Sequence, residues 1–389
     1  MAVILYVNST AVHGGAEEAL LDIMCAAGEI GHRPVLGTPG EGWLTEGARS
    51  HGIPTALVPT LPEAMVTDSW TAQFGPLLPT AVAISRLARR HGAAIIHSNT
   101  PRTSYHGGLA ARLAGVRAVT HCYDIIGTPY QSAIRGRLLH RLADWTLTIS
   151  NAAGKALQEA APQFRGRVST LYYGFRPDRA AEATPAVASA ATRQALFGLP
   201  SDALVIGCAS AMTPWKGQDI LFDAFRLLAH LEPRVHLVIV GASQGSTRQD
   251  QFEARLREQV AASSLGERVT FAGWREDWQA IVAAFDIFVH VPTQPDPLPL
   301  VVLHACRLGR PVIATPMGGI PEIVGEEGEA GVLVPASDAG SLARALTPLL
   351  HDPARRASLG AAARDRMMQF SWGAMRITLS AAYERVLGS

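Results

Sequence analysis

The residues able to do chemistry cluster in a few short stretches. From Val289 to Gly319 the chain reads VHVPTQPDPLPLVVLHACRLGRPVIATPMGG. An apolar strand (Ile287 to Val291) leads through a proline-rich loop into a helix (about Pro299 to Leu308). The chain then leaves through Gly309 into a second strand (Pro311 to Thr315). The first turn of such a helix holds N–H groups without an intrahelical partner at the positive end of the dipole, which attracts anions. Pro297 and Pro299 lack that donor, which a first turn can spare, whereas Leu298, Leu300 and Val301 keep theirs. A plain crossover helix in a parallel sheet fits the same pattern. A second strand-to-helix junction lies in IGCASAMTPWKGQDILFDAF, where Lys216 beside Gly217 is placed to reach a phosphate on the helix end. Its spacing is not that of a P-loop.

The first strand runs into NSTAVHGGAEE, in which Gly14 and Gly15 let backbone approach a ligand and open a helix; a simple tight turn reads the same way. This is not the G-x-G-x-x-G of dinucleotide folds, and no acidic residue ends the second strand, so nicotinamide binding is disfavoured. His97 and His121 end apolar strands, at IIHSN and VTHCYD, and His121 is followed by a polar turn with Asp124. A lone histidine at such a place is more often structural than catalytic. Arg135, Arg137 and Arg141 share one helical stretch with His140, YQSAIRGRLLHR. That face suits either anionic lipid or plain solvent, and the solvated face is the simpler reading.

These residues need a scaffold that carries them to strand ends. The chain has 389 residues, more than one core accommodates, and implies about two domains. A net charge of +1 gives no reason to expect nucleic acid, and no apolar run reaches the roughly 20 residues of a membrane span. The start, MAVILYV, reads as a strand without a signal peptide, which gives a cytoplasmic expectation. Cys25, Cys122, Cys208 and Cys306 sit far apart in apolar segments and read as small core residues.

Apolar runs recur at Val3 to Val7, Val35 to Gly37, Thr55 to Val58, Ala94 to His97, Ala118 to Tyr123, Trp145 to Ile149 and Thr170 to Tyr173. Helical patterns lie between most of them; after Glu17, for example, Leu20, Ile23, Met24 and Ala27 make one apolar face. Residues 176 to 195 are poor in large apolar side chains and read as a linker whose alanines also permit a short helix. From Leu204 the alternation restarts. Strands separated by helices imply two doubly wound parallel-sheet α/β domains, with ligand at the carboxyl ends of strands and a cleft as the natural site.

Taken together, HGGAEEALLDIMCAAGEIGHRP, THCYD, TLTIS, SAMTPWKGQDILFDAF, VTFAGW, PDPLPLVVLHACRLGRPVIATPMGGIPEIV, GVLVP and FSWGAMRITLSAAYERVL resemble glycosyltransferase family 4 almost end to end. That resemblance implies the GT-B fold, with two Rossmann-like domains facing a cleft. It assigns residues 1–175 to an acceptor-side domain, 176–200 to a linker, 201–370 to a donor domain, and 371–389 to a helix returning to the first domain. It further implies a retaining, nucleotide-sugar-dependent transferase. Gly14 and Gly15 would lie over the donor diphosphate or the acceptor, and His121 matches the family's active-site histidine. Lys216 matches its diphosphate lysine, the amides of Leu300 and Val301 would hold phosphate, and Gly318, Gly319 and Glu322 would form the neighbouring wall.

Several positions depart from the family pattern. The usual pair of glutamates is Asp296 and His304, the usual arginine before the lysine is Ala211, and the usual aromatic and glycine are Leu298 and Pro299. A neutral imidazole has one acceptor nitrogen where a carboxylate has two oxygens, so ribose binding at His304 must be weaker or differently arranged. The chain has no Asp-x-Asp pair, so no metal cofactor is expected. Lys216 and helix-end amides would neutralise the departing diphosphate, Asp296 would steady the sugar, and His121 would contact its hydroxyls. A UDP-sugar is the first expectation for the donor and a GDP-sugar the next. The acceptor would be a glycan, a glycolipid or a small natural product, with peripheral membrane contact in the second case. The rival expectations are a nucleotide-sugar isomerase or epimerase of the same fold, and a non-catalytic nucleotide-sugar-binding or partner subunit.

Overall fold

The computed structural model describes residues 1–61, 76–125, 141–177 and 190–388. The chain divides into two compact units, one of Met1–Arg176 with Phe370–Ser389, the other of Pro177–Gln369.

In the first unit, β1 (Val3–Val7), β2 (Arg33–Thr38), β3 (Thr55–Leu57), β4 (Ala93–Ser98), β5 (Arg117–Cys122), β6 (Trp145–Thr148) and β7 (Val168–Thr170) form one sheet. Their order is β3-β2-β1-β4-β5-β6-β7, and every pair is parallel. The chain winds outward from β1 in one direction and restarts at β4 in the other, so the β1/β4 edge is a topological switch point. The helix Gly15–Glu29 buries Leu20, Ile23, Met24 and Ala27, the face that the sequence spacing predicts. The expected strand over Thr170 to Tyr173 falls earlier, at Val168–Thr170. Leu171 and Tyr173 are buried beyond its end: the Leu171 N–H still donates to the Thr148 carbonyl of β6 at 2.8 Å, and Tyr173 Oη donates to Asp22 Oδ2 at 2.7 Å.

The last helix, Trp372–Gly388, belongs to this unit. Trp372, Met375, Leu379, Ala382, Tyr383 and Val386 recur at spacings of three and four and are all buried, in one cluster with Ile4, Tyr6 and Leu20. Each fully buried side chain of this size contributes about 1.5–3 kcal/mol. The C-terminal helix thus shares the core of the first unit.

In the second unit, β8 (Leu204–Ala209), β9 (Val235–Val240), β10 (Val269–Gly273), β11 (Ile287–His290), β12 (Val312–Ala314) and β13 (Val332–Leu333) form a parallel sheet. The order is β10-β9-β8-β11-β12-β13, with its switch point between β8 and β11. Within the expected linker, Ala190–Phe197 is helical, as its alanines permit, and residues 178–189 lie outside the described ones. Among the described residues no helix is long and apolar enough to cross a membrane. Cys122, Cys208 and Cys306 are free thiols that burial pushes up to about 12.

Candidate functional site

In the second unit the candidate residues gather where three strands end. After β8 the chain makes a short 3-10 turn, Pro214–Lys216, then Gly217, then the helix Gln218–Ala229. Gly217 has φ +77°, and a Cβ there would collide with the Val291 carbonyl, so the turn packs directly on the end of β11. The Thr293 N–H donates to the Trp215 carbonyl at 2.8 Å and ties the two loops together. Lys216 Nζ, 4.0 Å from the Trp215 ring centroid, reaches Asp296 Oδ2 at 2.6 Å. His290, the last residue of β11, donates from Nε2 to the same oxygen at 2.8 Å.

The third strand end, after β12, closes on Asp296 from its backbone side. Gly319 N–H donates to the Asp296 carbonyl at 2.8 Å, and Gly318 forms a parallel bridge with Asp296. Gly318 has φ +67°, and a Cβ there would collide with that carbonyl. Asp296 is only 5% exposed. Burial pushes its carboxyl upward, but the hydrogen bond from His290 and the charge of Lys216 outweigh it and hold the group below its ordinary value. Burial lowers His290, so the imidazole is neutral near pH 7 and its proton sits on Nε2, facing a group that only accepts.

The helix expected from about Pro299 runs over Leu300–Arg307, with Pro299 as its N-cap and no side chain capping it. Val302 and Leu303 N–H groups bond to the Pro299 carbonyl, which leaves Leu300 and Val301 ahead of the ladder. Leu298 is buried in the preceding loop. His304 is also buried, and Trp278 meets it edge-on at 4.7 Å between centroids. The Ala211 carbonyl accepts from Gln218 Nε2 at 2.9 Å, and Gln218 Oε1 is buried with no hydrogen bond among the described residues. Glu322 lies in the short helix Ile320–Val324, and its carbonyl accepts from Gln369 Nε2 at 3.0 Å.

In the first unit Gly14 is the N-cap of the helix Gly15–Glu29. Its backbone is extended, and its carbonyl accepts from the Glu17 and Glu18 N–H groups at 3.1 and 2.9 Å. The Glu17 carboxylate occupies the space beside Gly14 and is drawn into a buried polar chain. Tyr123 Oη donates to Asn99 Oδ1 at 2.9 Å, Asn99 Nδ2 to Asn8 Oδ1 at 3.0 Å, and Asn8 Nδ2 to Glu17 Oε1 at 3.0 Å. Burial raises the Glu17 carboxyl.

His121, the penultimate residue of β5, packs on Tyr123 with centroids 4.2 Å apart and is 1% exposed. Both ring nitrogens are buried with no hydrogen bond among the described residues. Burial, then the neighbouring His97, pushes His121 well below its ordinary value, so the ring is neutral. His97 has a structural partner: its Nδ1 meets Tyr383 Oη at 2.7 Å, and Tyr383 in turn meets Tyr6 Oη at 2.7 Å. Burial lowers His97 to about 3. Asp124 is exposed, and its carbonyl accepts from Cys122 Sγ at 3.4 Å. The Arg141 carbonyl accepts from Arg112 Nη2 at 2.9 Å, whereas Arg135, Arg137 and His140 lie outside the described residues.

Sequence reasoning passed over His290, Glu17 and Asn99. His290 carried a usable signal, since a histidine closing an apolar strand six residues before the acid is placed as His97 and His121 are. Glu17 and Asn99 carried none, because only the β1/β4 adjacency brings them together.

Residues 13–179 match the model described as Glycosyltransferase Family 4, and residues 203–352 match Glycosyl transferases group 1. The chain is 35% identical over 206 residues to a D-inositol 3-phosphate glycosyltransferase of Stackebrandtia nassauensis, an alignment covering 51% of this chain and 45% of the relative. It is 36% identical over 213 residues to a GDP-mannose-dependent monoacylated alpha-(1-6)-phosphatidylinositol monomannoside mannosyltransferase of Corynebacterium glutamicum, covering 52% of each. The chain thus spans about half the length of the curated relatives it matches. Anabaena Alr3699/HepE, solved in complex with UDP and glucose, superimposes with a TM-score of 0.80 at 25% identity, over 99% of this chain and 100% of that one. The sucrose-phosphate synthase of Thermosynechococcus elongatus shares the fold, with a TM-score of 0.80 at 20% identity over the whole of both chains. Two parallel-sheet units with their polar clusters at strand ends, and family models over both, place the chain in the GT-B glycosyltransferases of family 4.

Proposed function

We propose that this chain is a retaining glycosyltransferase that moves a sugar from a nucleoside diphosphate sugar to a hydroxyl acceptor without a metal ion. The observation that carries the reading is the Lys216–Asp296 pair at the β8/β11 switch point, beside a helix entrance that no side chain caps. As the bond from the anomeric carbon to the phosphate oxygen breaks, the Lys216 ammonium and the Leu300 and Val301 amides neutralise the charge left on the diphosphate. The acceptor oxygen bonds to that carbon on the same face, and its proton passes to the departing phosphate oxygen. Asp296, held ionised, steadies the sugar. In the first unit, the neutral ring of His121 is the proposed hydrogen-bonding group for a sugar hydroxyl.

The complexes of HepE with UDP and with UDP-glucose support a UDP-sugar as donor. The Corynebacterium glutamicum relative, named for GDP-mannose, puts a GDP-sugar next. The relatives' names favour an inositol-type hydroxyl, free or lipid-linked, as acceptor. A second reading, a nucleotide-sugar-binding subunit without turnover, is favoured by Ala211 in place of a cation and by His304 packed on Trp278.

The test incubates the chain with UDP- and GDP-sugars in EDTA, with inositol, inositol phosphate and phosphatidylinositol as acceptors. Acceptor-dependent release of nucleoside diphosphate, with the product's anomeric configuration retained by NMR, is expected. Donor consumption without an acceptor contradicts the reading in favour of isomerisation or hydrolysis, and binding without consumption favours the second reading.

A further inference from the structure

Asp296 is gripped unevenly. Lys216 Nζ at 2.6 Å and His290 Nε2 at 2.8 Å both fall on Oδ2, and Oδ1 makes no hydrogen bond among the described residues. The backbone of the same residue is pinned by the Gly318–Gly319 turn. The two holders of Oδ2 differ in freedom. The Lys216 side chain is 16% exposed on a flexible stem, whereas that of His290 is 1% exposed and fixed at the end of β11. A diphosphate draws an ammonium group toward itself, which loosens the lysine's hold on the carboxylate. An imidazole buried this deeply does not follow.

We propose that His290 is a positioning residue, which keeps Asp296 Oδ2 in place when Lys216 turns to the diphosphate and so presents Oδ1 to a hydroxyl of the transferred sugar. This rests on the donor-site reading given above. Its consequence is selective: His290 serves the sugar half of the donor and not the nucleotide half. A glutamine side chain carries an N–H about as far from the backbone as Nε2 of histidine, while asparagine is one methylene too short to reach.

The experiment compares the wild-type chain with His290→Leu, His290→Asn and His290→Gln. Calorimetry gives Kd for UDP and for UDP-glucose, steady-state rates give kcat and donor KM, and melting temperatures report the fold. In His290→Leu and His290→Asn, UDP affinity is expected within about twofold of wild type. UDP-glucose affinity should fall about tenfold and kcat about a hundredfold. His290→Gln should recover most of both. Should leucine fail to fold, the asparagine and glutamine pair still decides. Equal losses for UDP and UDP-glucose, or glutamine no better than asparagine, in a setting where wild type binds both, overturn the positioning role alone. A wild type that binds neither ligand overturns the donor-site reading and this role with it.

Discussion

Asp296 shows how a single carboxylate is set by its neighbours. Its folded-state value is depressed because His290 and Lys216 together outweigh burial, so an unfolded chain binds more protons there at low pH. The stabilising contribution is complete above the ordinary aspartate value of about 4 and is lost as pH falls further. Asp296→Asn is therefore expected to flatten the fall of the urea midpoint below pH 4, and an unchanged slope contradicts the assignment. The histidines of the first unit act over a higher range. His97 and His121 are neutral when folded and gain protons when unfolded below about pH 6.5, so stability falls as pH drops through that range. Replacing His121 with phenylalanine removes one of the protons taken up on unfolding, and the change of stability between pH 6.5 and 5 should shrink.

At the scale of elements, the site is a meeting of turns, and two glycines permit it. Gly217 and Gly318 have φ of +77° and +67° and face the carbonyls of Val291 and Asp296. Strain of this kind is worth about 1–3 kcal/mol in each case. Gly318→Ala is expected to lower stability by at least that and to weaken nucleotide-sugar binding through Asp296. A chemical melt and a calorimetric titration check both, and wild-type values in either place the turn outside the site. Much of this arrangement was legible in the sequence: strand-helix alternation gave both sheets, and family motifs singled out Lys216 and Asp296. The grip on Asp296 was not, because it comes from β8, β11 and β12 lying side by side, and strand order is absent from local periodicity. Likewise the run at Leu171 is as apolar as a strand yet continues the ladder by one N–H, to the Thr148 carbonyl, and then leaves it, since burial by packing and burial by pairing leave one compositional trace.

Over the whole molecule, the first unit is closed by the far end of the chain. Tyr383 joins Tyr6 and His97 across 377 and 286 residues of sequence, at 2.7 Å in each bond. Tyr383→Phe leaves those two buried groups without their partner and should cost about 1–3 kcal/mol in an equilibrium melt. A chain ending at Gln369 should keep the second unit folded and expose the first to limited proteolysis, because Trp372, Met375, Leu379 and Val386 leave its core. Protease resistance of residues 1–176 in that truncated chain would contradict the role given to the C-terminal helix. The strand alternation made the two parallel sheets readable from sequence, whereas the tyrosine–histidine contact required the helix to be docked.

The central claim is that Lys216 and Asp296 belong to a nucleotide-sugar donor site. Its most direct test is calorimetric titration of UDP and GDP, in EDTA, into the wild-type chain and into Lys216→Ala. One charge-assisted hydrogen bond of about 1.5–3 kcal/mol predicts that one nucleotide binds the wild type and that its affinity falls about 10- to 100-fold in the variant. No binding to the wild type, or equal affinity in the two proteins, would contradict the account.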